Sequence, residues 1–171
     1  MVSYLTIFNL TIKTYCYIEI MQLWEENMIG NITKTHFGIY GICRSGNKIL
    51  LIKKARGPYT GLYDLPGGSP EKNESFEETL IREIKEETNF SVTHITNQRK
   101  ATVIFSDFTQ QSGEKGVLKH EAVLFDITVS GEISYSGDGL DSNGAVWIDI
   151  DLLSDQNATP YALIGAGRKQ I

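Results

Sequence analysis

Gly68-Ser69-Pro70-Glu71-Lys72-Asn73-Glu74, then seven residues, then Arg82-Glu83-Ile84-Lys85-Glu86-Glu87-Thr88-Asn89-Phe90, is the stretch on which the reading of this chain turns. Ser75, followed three positions on by Glu78, makes a capping box, so a helix is expected to open at Ser75. Leu80, Ile81, Ile84 and Thr88 then share one face at helical spacing. At about 100° per residue, Glu83, Glu86 and Glu87 span an arc of roughly 100° beside that apolar stripe, not on the far, solvent-facing side. Three carboxylates are therefore expected at the edge of the core.

Such crowding is unfavourable on its own, since like-charged pairs three or four residues apart cost about 0.2–0.5 kcal/mol each in an isolated helix. Lys85 points elsewhere, and Arg82, within reach of Glu78 and Glu86, leaves an excess of negative charge. A hard divalent cation with oxygen ligands would offset it, and magnesium (Mg²⁺) typically takes a few carboxylates together with substrate phosphate oxygens. Crowding also raises the proton affinity of at least one carboxylate, which makes a general base available. The plainer reading, a solvated acidic helix face, fits any Glu-rich helix taken alone.

The wider run resembles the signature of the Nudix hydrolase family, whose box reads Gly, five residues, Glu, seven residues, Arg, Glu, apolar, any, Glu, Glu, any, Gly, apolar. Eight of the nine defined positions agree. The departure is Asn89, where the family has Gly; a left-handed residue is expected at the helix C-terminus there, and Asn is the next best choice. Leu50-Leu51-Ile52-Lys53-Lys54, followed by Leu62-Tyr63-Asp64-Leu65-Pro66-Gly67-Gly68, looks like the family's strand and lead-in loop, with Tyr63 where Trp is common. The resemblance extends from about Thr35 to Ile150 and says nothing about residues 1–30.

It implies an α+β Nudix fold, an αβα sandwich around a mixed β-sheet. It also implies hydrolysis of a pyrophosphate bond in a nucleoside diphosphate linked to another moiety: a nucleoside triphosphate, a nucleotide sugar or a dinucleoside polyphosphate. By position, Glu83 and Glu87 would be the principal metal ligands, Glu86 a further ligand or the base, and Arg82 the partner that orients the carboxylates. Glu74 would brace Arg82 or the loop, and Gly68 would bring a backbone carbonyl near the metal, with Mn²⁺ a substitute for Mg²⁺. The metal would neutralise pyrophosphate oxygens and lower the pKa of the attacking water, with no covalent intermediate; neither a G-x-S-x-G elbow nor a P-loop is present. The rival is a catalytically silent nucleotide-sensing or partner-binding module on the same fold, which the unbroken carboxylate set disfavours. Substrate is left open. Patterns that mark relatives acting on NADH are absent, Ile104, Phe105 and Ser106 stand where ADP-ribose-cleaving relatives often show Pro, and Phe105 or Phe108 is a candidate to stack on a base.

Outward from the box, Thr35 to Cys43 and Lys48 to Ala55 read as a hairpin about the turn Ser45-Gly46-Asn47. A Gly- and Pro-rich loop from Gly57 to Pro70 precedes the helix. Strands are expected at Val92–Ile95, Lys100–Phe108, Val117–Val129 and Ala145–Ile150, with a turn at Gln111-Ser112-Gly113 and a short helix from about Thr159 to Gln170. Lys53, Lys54 and Arg56 lead into the box loop and are candidates for holding substrate phosphates, although bases at strand ends are commonplace. Glu121 is a candidate distal ligand or base, or a solvated strand residue. His36, His94 and His120 have no recognisable partner and are assigned to ordinary packing or exposure, and Trp147 and Phe125 to the core.

The chain of 171 residues suits one domain, read as a Nudix hydrolase domain over 35–171 with an N-terminal extension over 1–34. Its net charge of −5 argues against general nucleic-acid binding and makes a bridging cation necessary for a phosphorylated substrate. Cys16 and Cys43 suggest neither a zinc site nor a disulfide framework and are read as reduced thiols. Residues 1–30 have no basic n-region and no small-residue cleavage site, and fall short of a membrane span. The expected setting is cytoplasmic, the partner a small nucleotide-like substrate, with no membrane and with a homodimer left open.

Overall fold

A computed structural model describes residues 32–109, 113, 115–133 and 142–170, the side chains of 106–109 and 142 excepted. The expectations for residues 1–30, for Cys16, and for the side chains of Ser106 and Phe108 lie outside the described residues, as do positions 111 and 112 of the expected turn. The described residues group into two compact units, one of 35–104 with 119–170 and one of 32–34 with the described part of 105–118.

The elements are β1 (Ile32–Ile42), β2 (Arg44–Ser45), β3 (Lys48–Lys54), β4 (Tyr63–Asp64), β5 (Gly67–Gly68), α1 (Phe76–Thr88), β6 (Ser91–Thr109), β7 (Lys115–Ser130), β8 (Ser142–Asp149), a 3₁₀ turn (Ile150–Leu152) and α2 (Pro160–Gly165). One sheet has the order β5-β1-β7-β6; in the other, β3 pairs with β2, β4 and β8.

The expected long hairpin is corrected by this arrangement. Only Arg44 and Ser45 of β2 pair with β3, opposite Ile49 and Lys48, while β1 belongs to the other sheet. The turn chemistry at Ser45-Gly46-Asn47 sets the reversal, but the chain changes sheets at Cys43, so β1 is released to pair with β5 and β7. The two strands expected over Val92–Phe108 are one continuous strand, β6, with left-handed Asn97 where a break was expected. The last helix is shorter than expected: Thr159 caps its N-terminus by accepting from Ala162 N–H, and it ends at Gly165.

Strand alternation divides the core into two layers. Tyr40 and Ile42 of β1, Ile49 and Leu51 of β3, and Ala122 and Leu124 of β7 join Tyr161, Ala162 and Leu163 of α2. Their neighbours Ile39, Leu50, Ile52, Val123, Phe125 and Ile127 join Leu80 and Ile84 of α1. A period-2 pattern that is apolar on both faces thus requires a cover on each side, and the two helices supply it in the α+β sandwich. Phe125 is core and Trp147 packs against it, as expected. Each of the fully buried Leu80 and Ile84 contributes about 2–3 kcal/mol of transfer free energy. Among the described residues no helix is long and apolar enough to cross a membrane.

Candidate active site

The capping box at α1 forms as expected: Ser75 accepts from Glu78 N–H, and Ser75 N–H donates to the Glu78 carboxylate. At the other end Asn89 adopts φ 65°, and its N–H donates to Lys85 O at 3.0 Å. Lys85 turns away from the acidic face, its ammonium donating to Asn89 O at 2.8 Å and Oδ1 at 2.9 Å.

Ile81 corrects the expected buried face, since it is 47% exposed while Thr79 is fully buried. The loop leading into α1 covers the helix on its Thr79–Glu83–Glu87 side. Gly67 N–H donates to Glu87 Oε2 at 2.8 Å, Arg82 reaches Ser69 O at 3.2 Å, and Thr79 Oγ1 donates to Glu74 Oε2 at 3.0 Å. Burial is therefore skewed toward the carboxylates. Glu87 is 2% exposed, and the Glu83 and Glu86 side chains are 15% and 55% exposed.

Arg82 organises the cluster through its fork. Nε and Nη2 donate to the two oxygens of Glu74 at 2.8 and 3.0 Å, and Nη1 donates to Glu83 Oε1 at 2.8 Å and Glu86 Oε2 at 3.2 Å. The pairing with Glu78 considered from helical spacing does not form; that carboxylate is taken by the capping box. The Arg82 hydrogen bonds and the Glu71 N–H hold the Glu74 carboxyl down to about 2, and the paired carboxylates raise the Arg82 pKa. Burial pushes Glu87 well above the usual carboxylate range, opposed by the Gly67 N–H and the charge of Lys54 and reinforced by Glu83 and Asp64.

The glycines of β5 permit this approach. A Cβ on Gly68 would stand 2.5–2.8 Å from the Glu83 carboxyl group, and one on Gly67 would stand 2.1 Å from the Ile39 carbonyl oxygen. Gly67 also has φ +143°, a conformation that side chains rarely adopt.

Lys54 is close enough for its charge to act on Glu87, Asp64 and His120. Lys53 and Arg56 are exposed, and Glu121 forms a 3.0 Å ion pair with Lys119. Phe105 falls in the other compact unit.

Asp64 was not singled out from the sequence, although a carboxylate between Tyr63 and Leu65 inside an apolar stretch is a signal. It is buried, accepts from Thr159 Oγ1 and Leu65 N–H, and is pushed by burial to about 6. His120, assigned to packing or exposure, is buried with Nε2 at 3.0 Å from the Tyr40 hydroxyl. The rings of His36, Tyr40, Tyr59 and Tyr161 surround it, and burial lowers its pKa to about 3. His94 is exposed, with Nδ1 3.1 Å from Thr128 Oγ1.

Asp64 carries a pH prediction. Its folded pKa, about 6, lies above the ordinary aspartate value of 3.8, so the folded state holds its proton more tightly. That contribution is complete below about pH 4 and lost as pH rises through 6, a change of about 3 kcal/mol. Asn keeps an oxygen for Thr159 and Leu65. Asp64→Asn is therefore expected to match wild type in melting temperature at pH 4 and to exceed it increasingly toward pH 7. His120 works in the opposite sense, losing stability as pH falls below 6.5, and cancels in the difference because both proteins carry it. A gap that does not change with pH would refute the assignment.

The family model described as NUDIX domain matches residues 33–163. A 48-residue stretch is 54% identical to the ADP-ribose pyrophosphatase of Methanocaldococcus jannaschii, a match covering 28% of this chain and 28% of that protein. Among solved structures, a MutT NUDIX hydrolase of Burkholderia pseudomallei is similar at TM-score 0.62 and 26% identity, over 79% of this chain and 98% of that one. A MutT protein of Bacillus halodurans is similar in fold, at TM-score 0.58 and 22% identity over 77% and 80% of the two chains.

Proposed function

The chain belongs to the NUDIX domain family, and from that premise we propose that it is a pyrophosphohydrolase, cleaving a phosphoanhydride bond in a nucleoside diphosphate linked to another moiety with a bound divalent metal. The observation that carries this reading is Glu87: a carboxylate almost wholly buried, held by the Gly67 N–H, on the same helix as the Arg82-ordered Glu83 and Glu86. A buried carboxylate without a paired cation is costly, and among the described residues no ion pair to Glu87 forms.

The donors present fit a hard cation. They are oxygens throughout: the carboxylates of Glu83, Glu86 and Glu87, with the Gly68 backbone packed close against the Glu83 carboxyl group. Among the described residues no group of three or more acidic, thiol or imidazole side chains is gathered around one point, and Arg82 occupies one oxygen each of Glu83 and Glu86. Mg²⁺, or Mn²⁺ in its place, would be held by Glu83, Glu87 and the Gly68 carbonyl, with Glu86 beside them. When bound, the metal supplies positive charge for the pyrophosphate oxygens and makes a coordinated water more acidic.

The chain's own groups do the rest. Glu86, the most exposed of the three, accepts the proton of the attacking water at its carboxylate. Arg82 keeps Glu83 and Glu86 apart and oriented, and Glu74 keeps Arg82 in place. Lys54, whose charge acts on Glu87, and the exposed Arg56 are the bases assigned to hold the substrate's phosphates.

Arg82→Lys tests the fork, because an ammonium cannot reproduce four simultaneous carboxylate contacts. Loss of such a supporting group is expected to reduce kcat roughly tenfold to hundredfold, with only a small drop in melting temperature since the cluster is near the surface. Unchanged turnover would remove Arg82 from the machinery.

The reaction itself is tested by incubating the protein with Mg²⁺ and a panel of ADP-ribose, nucleoside triphosphates, nucleotide sugars and dinucleoside polyphosphates, and separating the products. ADP-ribose leads the panel because of the name carried by the Methanocaldococcus relative. Release of a nucleoside monophosphate and a second phosphorylated product, abolished by EDTA, is expected. Inertness across the panel, with nucleotide still bound, would replace the enzyme by a sensing module.

A further inference from the structure

Gly67 is the contact through which the loop holds Glu87, yet a glycine has no side chain of its own to fix its height above the sheet. Its ladder partner is Tyr40, and Gly41 N–H donates to Pro66 O at 2.9 Å. That pairing and that one bond hold the loop alongside β1. Of the atoms packed closest to this glycine, the side-chain one belongs to Tyr40: a Cβ on Gly67 would meet the Ile39 carbonyl oxygen at 2.1 Å, Tyr40 Cα at 2.7 Å and Tyr40 Cδ1 at 2.9 Å.

The Tyr40 ring is itself held at three points. It lies back along its own strand over Gly38, where a Cβ would stand 2.5 Å from the hydroxyl, 2.6 Å from Cε2 and 2.7 Å from Cζ. Its hydroxyl is paired with His120 Nε2 on β7 at 3.0 Å. On the α2 side it stacks on Tyr161, ring centres 5.7 Å apart, and the Tyr161 hydroxyl donates to the His120 carbonyl at 2.5 Å. Gly38, Tyr40, His120 and Tyr161 therefore form one buried, hydrogen-bonded brace against the strand that carries Gly67. Burial pushes the Tyr40 hydroxyl well above its ordinary range, reinforced by Asp64, Tyr161 and Glu87.

We propose that Tyr40, seated over Gly38 and hydrogen-bonded to His120, is a positioning residue for Glu87, fixing the Gly67 backbone whose N–H holds that carboxylate. Removing the hydroxyl lets the ring tilt, and the Gly67 N–H then loses its aim at Glu87 Oε2. The role rests on the pyrophosphohydrolase reading only where it is measured by turnover; the placement of Gly67 is independent of it.

Two variants test the brace. Tyr40→Phe keeps the ring and removes the hydroxyl, and Gly38→Ala keeps the hydroxyl and pushes the ring off its seat. In each, the Gly67 amide is expected to exchange with solvent about tenfold faster or more, while amides in the middle of α1 keep their protection. Turnover is expected to fall about tenfold with KM within about twofold, because substrate contacts are not altered. Exchange at Gly67 unchanged in both variants would overturn the proposal, as would a loss confined to KM. Uniformly faster exchange across α1 would also overturn it, reducing Tyr40 to general core packing. If wild type turned over no substrate in the panel, the functional reading would fail while the exchange measurement still decided the brace.

Discussion

Glu87→Gln is expected to lower kcat by roughly two to four orders of magnitude and, at neutral pH, to raise the melting temperature. The two effects share a cause. Glu87 is nearly sealed from solvent with one backbone donor, and its proton affinity is raised by burial. Ionising it in the folded protein therefore costs free energy that the unfolded chain does not spend. Gln has the same length, keeps an oxygen for the Gly67 N–H, and carries no charge, so the folded state gains while the metal loses an anionic ligand. The charge that weakens the fold is the one the proposed chemistry requires. Thermal melts at pH 7 with EDTA present, alongside turnover at saturating Mg²⁺, check both halves. A variant that lost activity and also melted lower would mean Glu87 is a structural residue, and one that kept full activity would remove it from the site.

How much of this was legible in the sequence depended on distance along the chain. The helix start at Ser75 and the left-handed stop at Asn89 follow from side chains bonding to backbone within four residues, and both form as read. The acidic arc also follows from local geometry, but the depth of each carboxylate does not. Helical spacing places Ile81 on the buried face with Leu80 and Ile84; the loop covering the opposite flank buries Thr79 and Glu87 in its stead. The sheet change at Cys43 was invisible for a similar reason. A tight turn between two apolar runs predicts that the chain reverses, whereas the partner of β1 is decided by β5 and β7, which come later. Tyr40 and His120 meet across 80 residues, and Asp64 and Thr159 across 95. No local periodicity pairs them. The position of His120 among apolar alternates of β7 was the available signal that it faces a core.

Gly67 and Gly68 are adjacent, and alanine at the two positions is expected to fail in different ways. At Gly67 the added carbon meets backbone, the Ile39 carbonyl oxygen at 2.1 Å, and the residue must also hold φ +143°. Neither obstacle can swing aside, since Ile39 is fixed in the middle of β1 and pairs with Gly68. Backbone strain and overpacking together should cost about 4 kcal/mol, or about 10 °C in melting temperature for a chain of this size. At Gly68 no such φ is imposed, and the added carbon meets the end of the Glu83 side chain at 2.5–2.8 Å. A carboxylate can rotate away where a carbonyl cannot. Gly68→Ala should therefore melt within a few degrees of wild type, yet displace Glu83 from Arg82 Nη1 and reduce turnover roughly tenfold to hundredfold. Calorimetry and single-turnover rates on the two variants separate the cases. If Gly68→Ala were as unstable as Gly67→Ala, the close approach of β5 to α1 would be a packing constraint alone. If it were stable and fully active, the Glu83 carboxylate would not need the place it occupies.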